Sequence, residues 1–492
     1  MTEASLDQLY RPSLALLTDL YQLTMAYGYW KSGMAGHDAV FHLSFRTLPF
    51  GGGYAIGCGL HHAIDMVQGF RLEPEDLDYL AKLRGNDDSP MFERGFLDYL
   101  QGLRLTCDLD AVPEGTSVFP HEPLLRVRGP IIQCQLLETP LLNVINFQTL
   151  IATKAARICS AAAGMPVLEF GLRRAQGPDG GLSASRAAYV GGCAATSNVL
   201  AGRLFGIPVR GTHAHSWVMA FGSEIDSFLA YADAMPNNCV MLVDTYDSLE
   251  GVRNAITVGR RLREKGHELA GIRLDSGDLA WLSKEARRML DDAGFERAAI
   301  VASNDLDETI IESLISQGAR VGVWGVGTRL VTAHDEPSLG GVYKLSAVRP
   351  PGSAWQHRLK VSEQAVKTSN PGVPQVRRFL GNDGRLVGDI IFDELTDVDE
   401  PWTMIDPVDP TRRRVMASGL AHEDLLVPIF RGGQLVYRKP DLEQVRARVP
   451  GQLRALHDGI KRRLNPHAYP VGLEAALQRR KTAMVLQARG LQ

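Results

Sequence analysis

The segment from about residue 141 to residue 348 alternates short β-branched runs with amphipathic helical patterns, and this alternation constrains the fold more than any other feature. The runs lie at 167–170, 207–211, 239–243, 270–274, 298–302 and 320–326. The later runs are about 20–30 residues apart, which is the spacing of βαβ units, and the right-handed crossovers of such units make neighbouring strands parallel. The sequence therefore predicts an α/β core with a parallel sheet.

Helix-boundary signals between these runs support the same interpretation. Asp247 with Glu250, and Asp305 with Glu308, have the spacing of an N-cap residue and its N3 partner. Three glycines stand where helix C-caps belong: Gly266, Gly294 and Gly318.

Polar residues follow directly after several predicted strands, with histidines after 207–211 and carboxylates after 239–243 and 270–274. The C-terminal ends of parallel strands share one face, and that face holds the functional site. Because several strands contribute to one mouth, we expect an irregular, TIM-like parallel α/β barrel rather than an open sheet.

The predicted organisation has three parts. Residues 1–140 form an N-terminal α+β domain, residues 141–348 form the α/β barrel core, and residues 349–492 pack on both. The additional α+β domain is thus expected to combine the N-terminal region with C-terminal segments.

The bulk properties of the 492-residue chain exclude several functional classes. A net charge of −3 and a pI near 6.5 give no basic face for nucleic acid. No run of about 18 apolar residues occurs, so we expect no membrane span, and the N-terminus lacks the pattern of a secretory signal. The six cysteines form no C-x-x-C pair, which predicts reduced thiols in a cytoplasmic protein.

Two glycine-containing motifs follow predicted strands. GVGTRL (325–330) exposes backbone N–H groups to which a phosphate can bind, although similar turns are common without a ligand. RLDSGDL (273–279) gathers two carboxylates, a hydroxyl and an arginine, which suits ribose hydroxyls or Mg²⁺ shared with substrate phosphates. The alternative for the second motif is a helix N-cap at Asp275 or Ser276, which leaves Arg273 unexplained.

Two further motifs carry candidate chemistry. GTHAHSW (211–217) supplies a nucleophile, a base or a metal pair, or else hydrogen-bonded structural histidines; the metal interpretation lacks further ligands. In EFGLRRAQGPDGG (169–181), Phe170 and Arg173 together suit a planar anionic ring, while the alternative is an ordinary surface loop.

A helical stripe near the N-terminus repeats every four residues: Tyr21, Met25 and Tyr29. Such a stripe fits a core or dimer contact better than a ligand contact.

Five segments, in this order, resemble the nicotinate phosphoribosyltransferase family: TDLYQLTMA, EFGLRRAQGPDGG, GTHAHSW, RLDSGD, and GVGTRL with SLGGVYKL behind it. They cover roughly residues 14–348, and KTSNPGVPQVRRF (367–379) extends the resemblance more faintly into the tail. The resemblance implies a barrel-like α/β core, a domain built largely from the N-terminal segment, and a homodimer.

The resemblance also implies a set of substrate contacts. Nicotinate is expected to stack between Phe170 and Tyr21, with Tyr21 coming from the partner subunit. Arg173 and Arg273 are expected to face the ring or its carboxylate, with Thr212 beside it. The implied contacts to phosphoribosyl diphosphate are Asp275, Ser276 and Gly277 at the ribose and phosphates, and Gly325, Gly327 and Thr328 at the 5′-phosphate.

The implied reaction joins nicotinate to 5-phosphoribosyl 1-diphosphate, forming nicotinate mononucleotide and diphosphate in NAD biosynthesis. His215 matches the histidine that family members phosphorylate with ATP, and His213 competes with it for that assignment. His215, Asp275 and Arg173 are the expected catalytic residues. Mg²⁺ is expected mainly on the substrate diphosphate, and no protein ligand is assigned to it.

Three alternatives stay open from the sequence. The first is a phosphoribosyltransferase for nicotinamide or quinolinate, which would need a different balance of charge around the ring. The second is a non-catalytic nucleotide-binding barrel, against which the RLDSGD motif and His215 argue. The third is a Schiff-base aldolase or isomerase, which the lack of lysine at the predicted strand ends disfavours.

Overall fold

The computed structural model describes residues 13–364, 367–398 and 400–491. The chain divides into two compact units. Unit 1 comprises the described parts of Met1–Leu150 and Ser338–Gln492, and unit 2 is Ile151–Pro337.

The helices and strands are numbered here in chain order. The helices are α1 Leu20–Lys31, α2 Leu60–Gly69, α3 Pro74–Lys82, α4 Arg94–Gly102, α5 Ile131–Leu136, α6 Glu138–Ala161, α7 Gly177–Val190, α8 Val199–Phe205, α9 His215–Met219, α10 Glu224–Ala234, α11 Ser248–Glu264, α12 Leu279–Asp292, α13 Glu308–Ser316, α14 Thr328–Val331, α15 Leu442–Ala455 and α16 Ala475–Ala488. The strands are β1 Asp38–Phe45, β2 Ala55–Ile56, β3 Asp108–Ala111, β4 Ser117–Val118, β5 Leu125–Pro130, β6 Val167–Glu169, β7 Ala195–Thr196, β8 Val240–Leu242, β9 Gly271–Leu274, β10 Ala299–Asn304, β11 Val323–Val326, β12 Gly341–Arg349, β13 Gln356–His357, β14 Pro374–Leu380, β15 Leu386–Asp393, β16 Thr403–Ile405, β17 Arg413–Val415, β18 Ala421–Asp424, β19 Val427–Arg431, β20 Gln434–Leu435 and β21 Val471–Glu474.

Unit 2 is built on a six-stranded sheet in the order β7-β6-β11-β10-β9-β8. Every neighbouring pair is parallel, and helices α11, α12 and α13 connect consecutive strands from β8 to β11. The predicted α/β core with a parallel sheet is confirmed. The strand interiors are apolar, as at Trp324, Ile300 and Ile272, each at most 1% exposed, because helices cover a parallel sheet on its faces.

One predicted strand is wrong. The run at 207–211 makes only a single parallel bridge, between Val209 and Thr196, because Pro208 has no N–H with which to continue a ladder. The edge strand next to β6 is instead β7, which was not predicted from the sequence.

Most of the predicted helix ends are confirmed. Asp247 caps α11 by accepting a hydrogen bond from the Glu250 N–H, and the three predicted C-terminal glycines have left-handed φ values near +80°. The predicted cap at Asp305 is wrong. Strand β10 continues to Asn304, whose side chain accepts the Asp305 N–H, so α13 begins two residues later with Asp307 as its cap.

Unit 1 combines segments from both ends of the chain. A seven-stranded sheet has the order β13-β12-β1-β5-β3-β19-β20, and β1 pairs antiparallel with β12, with Phe41 opposite Leu345. A six-stranded sheet has the order β17-β16-β21-β15-β14-β18, and β2 pairs with β4. The apolar core of this unit includes Leu43, Phe45 and Phe96, each fully buried.

Candidate active site

A cavity of about 350 Å³ lies at the C-terminal ends of the parallel strands of unit 2. Its lining is Phe170, Leu172, Arg173, Ser197, Gly211, Thr212, His213, Ala214, His215, Leu242, Arg273 and Asp275. Six predicted site residues therefore meet there: Phe170, Arg173, Thr212, His215, Arg273 and Asp275. The other predicted residues of unit 2 are not part of this lining: Ser276, Gly277, Gly325, Gly327 and Thr328.

Arg273, on β9, links three segments at the cavity. Its Nε donates to Ser303 Oγ at 2.8 Å, and its two terminal nitrogens donate to Thr212 Oγ1 at 3.1 Å and Asp275 Oδ1 at 2.8 Å. Its Cζ lies 5.8 Å from the centre of the Phe170 ring. Neutral and acidic partners therefore fix the planar guanidinium at the cavity wall.

Asp275 is held from several directions. Burial alone would raise the pKa of Asp275, but the Ser303 hydroxyl and the Arg273 guanidinium, with His215 nearby, hold that pKa below its usual value. The backbone N–H of Asp275 donates to Asp244 Oδ2 at 2.8 Å. The carboxyl group is therefore an ionised, fixed negative charge at neutral pH.

The helix cap after β9 is not at either residue that the alternative interpretation of RLDSGDL named. Asp278, not Asp275 or Ser276, caps α12 by accepting the Trp281 N–H at 3.0 Å. Gly277 has a φ of +77°, and this turn separates the capping residue from the strand end. Ser276 instead donates to Asp244 Oδ2 at 2.7 Å, so neither Asp275 nor Ser276 caps the helix.

The two histidines of GTHAHSW have different environments. His213 is buried, and its Nε2 accepts the Leu242 N–H at 3.1 Å. Burial lowers its pKa, so the ring is neutral and structural. His215 begins α9 with a side chain 40% exposed, and its Nε2 lies 3.7 Å from Asp275 Oδ2. The Nδ1 of His215 faces the Thr245 hydroxyl at 3.2 Å, so both ring nitrogens of His215 face polar side chains, whereas those of His213 face the backbone groups of Leu242 and Ala214.

Phe170 and Arg173 both lie in the segment that directly follows β6. The Phe170 N–H donates to the Val326 carbonyl at 2.8 Å, and a short 3-10 turn at Leu172–Arg174 carries Arg173 to the surface. Within the described residues Arg173 forms no ion pair, so its charge is available to a ligand.

The glycines of GVGTRL make room for Phe170. A Cβ on Gly325 would lie 2.8 Å from Phe170 Cδ2, and one on Gly327 would lie 3.1 Å from the Phe170 carbonyl oxygen. Thr328 then begins the short helix α14, and Arg329 forms an ion pair with Asp307.

Four residues at this site received no role from the sequence: Glu169, Asp244, Thr245 and Ser303. Asp244 and Ser303 each follow a predicted strand directly, and that position could have marked them as site residues. Glu169 and Thr245 act through hydrogen bonds to residues distant in sequence, which no local pattern reveals.

Tyr21 lies in α1 of unit 1 and is 47% exposed, and Leu17 and Leu20, which precede it in the sequence, are also exposed. An exposed apolar group of this kind suits an interface. Its phenol pKa is raised by burial and by the nearby carboxylates of Glu138 and Asp19.

Across residues 13–364, 367–398 and 400–491, no helix has both the length and the apolar character needed to cross a membrane. In the same residues, no three His, Cys, Asp or Glu side chains form a group that could hold a metal ion.

Sequence comparison places three successive, separate matches along the chain. Residues 16–146 match the nicotinate phosphoribosyltransferase (NAPRTase) N-terminal domain, residues 166–355 the NAPRTase family, and residues 374–481 the C-terminal domain.

Full-length relatives agree with these matches. The chain is 44% identical to the nicotinate phosphoribosyltransferase of Bacillus subtilis (strain 168), over 94% of this chain and 93% of the relative. It is 37% identical to the nicotinate phosphoribosyltransferase of Bos taurus, over 94% and 95%.

Solved structures give the same result. The crystal structure of human nicotinic acid phosphoribosyltransferase matches with a TM-score of 0.83 and 35% identity, over 95% of this chain and 99% of that one. The nicotinate-nucleotide pyrophosphorylase from Pyrococcus furiosus shares the fold at a TM-score of 0.69 and 21% identity, over 92% and 98%.

Proposed function

Since this chain belongs to the nicotinate phosphoribosyltransferase family, we propose that it joins nicotinate to 5-phosphoribosyl 1-diphosphate, forming nicotinate mononucleotide and diphosphate for NAD biosynthesis. The observation that carries the proposal is the cavity in which Phe170, Arg173 and Arg273 stand together beside the ionised Asp275. An aromatic face with two guanidinium groups fits a planar carboxylate, and a fixed carboxylate fits a sugar that develops positive charge.

We assign the ring to the Phe170 side of the cavity. Arg173 supplies the free positive charge for the nicotinate carboxylate, while Arg273 and Thr212, joined by a hydrogen bond, define the opposite wall. Tyr21 of the partner subunit would cover the second face of the ring.

We assign the phosphoribosyl group to the turns after β9 and β11. Asp275, Ser276 and Gly277 would contact the ribose and phosphates. The end of β11 and the start of α14, with Gly325, Gly327 and Thr328, would bind the 5′-phosphate through backbone N–H groups.

In the proposed reaction the ring nitrogen attacks the anomeric carbon as diphosphate leaves, through an oxocarbenium-like transition state. The protein's task is mainly to align two anions and stabilise charge. Like charges about 4 Å apart repel by roughly 4 kcal/mol at an effective dielectric of 20, which the two arginines offset. Asp275 would stabilise the positive sugar.

Mg²⁺, when bound, neutralises the leaving diphosphate. The described residues offer no group of three ligands, but Asp244 Oδ1 is buried without a hydrogen-bond partner. These residues fit an ion held mainly by substrate oxygens, with Asp244 as the available protein carboxylate.

We further propose that ATP transfers its γ-phosphoryl group to His215 with release of ADP, and that hydrolysis of the phosphohistidine to histidine and phosphate is coupled to synthesis and drives it forward. The proposal is supported by the partial exposure of His215 and by the engagement of His213 with the Leu242 N–H. A phosphoryl group adds about 1.5 to 2 negative charges, which would organise Mg²⁺ and the diphosphate site.

For the fold and assembly, we propose an irregular barrel, a homodimer and a cytoplasmic location. The segment 207–213 supports barrel closure, since Val209 bridges to Thr196 beside β6 while His213 accepts the Leu242 N–H of β8. The exposed apolar residues around Tyr21 support the dimer. All six cysteines are free thiols, which is compatible with a reducing compartment.

The alternative substrates fit the cavity less well. Quinolinate carries a second carboxylate, but one of the two lining arginines, Arg273, is already paired with Asp275. Nicotinamide lacks the negative charge that Arg173 would neutralise. A Schiff-base reaction has no lysine in the cavity lining.

The test is release of diphosphate by the purified full chain with phosphoribosyl diphosphate and Mg²⁺, using nicotinate, nicotinamide or quinolinate, each with and without ATP. We expect turnover with nicotinate, ATP stimulation, and little turnover with the other two rings. Preference for another ring, or no turnover with nicotinate, would contradict the proposal.

A further inference from the structure

The carboxyl group of Glu169 is fully buried at the C-terminal end of β6, one residue before Phe170. Within the described residues, no Lys, Arg or His lies within ion-pair distance of it. A buried carboxyl group is costly unless hydrogen bonds satisfy it, so its position requires an explanation.

Three neutral donors from three segments converge on this carboxyl group. The Gly171 N–H donates to Oε1. The Thr196 hydroxyl, at the end of β7, donates to Oε2 at 2.6 Å, and the Ser185 hydroxyl of α7 donates to the same oxygen at 2.9 Å.

Asn198 fixes the direction of these hydrogen bonds. Its backbone N–H donates to Thr196 Oγ1 at 3.0 Å, and its side-chain Nδ2 donates to Ser185 Oγ at 3.2 Å. The Thr196 hydroxyl therefore accepts from Asn198 and donates to Glu169, whereas the Ser185 hydroxyl accepts from Asn198 and has two acceptors at 2.9 Å, the Glu169 carboxyl group and the Gly181 carbonyl.

The donors of this network are next to cavity residues. Gly171 lies between Phe170 and the turn that carries Arg173, and Thr196 directly precedes Ser197. A Cβ on Gly171 would lie 2.3 Å from Val331 Cγ1, so the loop has little freedom to relax if Glu169 releases it.

We propose that Glu169 is a positioning residue for the ring-binding side of the active site: its carboxyl group holds the Phe170–Arg173 turn and the end of β7 in the geometry that binds the planar acid. The inference rests on the proposed function for the identity of the ring. Glu169 does not touch the substrate itself. Asp275 and Ser276, which follow β9, form no hydrogen bond with this network.

Glu169→Gln preserves the shape of the side chain but replaces one acceptor oxygen with an NH₂ donor. If its oxygen keeps the Gly171 N–H, the NH₂ group faces two hydroxyls, and the Thr196 proton loses its acceptor. We expect the KM for nicotinate to rise about tenfold, with the KM for phosphoribosyl diphosphate and kcat each within about twofold of wild type.

Ser283→Ala is the matched control. Ser283 is also fully buried in unit 2, and its hydroxyl accepts the Arg320 N–H at 3.0 Å, on the N-terminal side of β11. This variant removes a buried hydrogen bond away from the cavity, so any loss of stability should leave the KM for nicotinate unchanged. If Glu169→Gln fails to fold, Ser185→Ala removes one donor only and should raise the same KM by a smaller factor.

The wild-type enzyme is assayed first, so that failure to use nicotinate is recognised as failure of the proposed function. Given wild-type activity, an unchanged KM for nicotinate in both Glu169→Gln and Ser185→Ala would overturn the inference. Equal rises in both KM values, matched in Ser283→Ala, would also overturn it, because they would indicate a general loss of stability.

Discussion

Arg273 gains its position from residues that the chain supplies at widely separated points. It donates to Thr212, Asp275 and Ser303, which follow three different predicted strands. An arginine inside a strand and directly before an acidic turn has no capping role, which is why the sequence alone marked it for the site. Its three partners could not be assigned in advance, because they depend on which strands become neighbours.

His213 and His215 lie two residues apart, but their different surroundings give them different expected roles. We expect His215→Ala to keep basal synthesis of nicotinate mononucleotide and to lose stimulation by ATP, because the variant has no ring nitrogen that can accept a phosphoryl group. The measurement is the initial rate of diphosphate release with and without ATP.

His215→Ala needs a control at the neighbouring histidine. His213→Ala should lose stability, because the Leu242 N–H then has no acceptor, while the folded fraction should still incorporate phosphate from ATP. ATP stimulation of His215→Ala equal to that of the wild type would refute the assignment.

Among the elements, those with a strong periodic pattern were predictable. Helices α11 and α12 have clear apolar stripes, and the parallel strands β8 to β11 follow from their spacing. Strand β7 was not predictable, because two residues, Ala195 and Thr196, form it and its only signal is the partner β6. The helix cap after β9 could not be assigned from the sequence, because Asp275, Ser276 and Asp278 are all chemically able to cap a helix.

The observed cap gives a prediction for helix α12. Asp278→Ala should lower the free energy of unfolding by about 1 kcal/mol, since the helix loses its N-cap acceptor, and it should leave both KM values near wild type. Ser276→Ala should instead change the free energy of unfolding little and raise the KM for phosphoribosyl diphosphate. Urea unfolding and steady-state kinetics on both variants distinguish the two roles, and a swapped result would mean that the helix begins at Ser276.

At the scale of the whole molecule, a buried histidine in unit 1 links stability to pH. Burial lowers the pKa of His42 from 6.5 to about 4, and the nearby charges of Lys344 and Arg126 act in the same direction. The unfolded chain then binds the proton more readily, so the contribution of neutral His42 is present above pH 6.5 and is lost as the pH falls toward 4.

This linkage predicts a difference between wild type and His42→Gln. Between pH 7 and pH 5 the wild type should lose about 2 kcal/mol more unfolding free energy than the variant, which cannot titrate at that position. Urea titrations at the two pH values measure the difference. Parallel losses in both proteins would show that His42 does not control acid stability.

The proposed homodimer makes each active site depend on two copies of the chain, and this can be tested by mixing defective subunits. Tyr21→Ala and Arg273→Ala should each be nearly inactive alone, because one removes the ring cover and the other removes the guanidinium beside Asp275. In a mixed dimer, the subunit with intact Arg273 receives an intact Tyr21 from its partner.

One of the two sites in each mixed dimer is therefore complete, while the other has both defects. Random pairing of equal amounts makes half of the dimers mixed, so co-expressed subunits should recover about a quarter of wild-type activity per site. If Tyr21 instead served the active site of its own chain, both sites of a mixed dimer would remain defective and no activity would return. Because one arrangement restores activity and the other restores none, the assay decides which copy of the chain contributes Tyr21 to the ring-binding cavity.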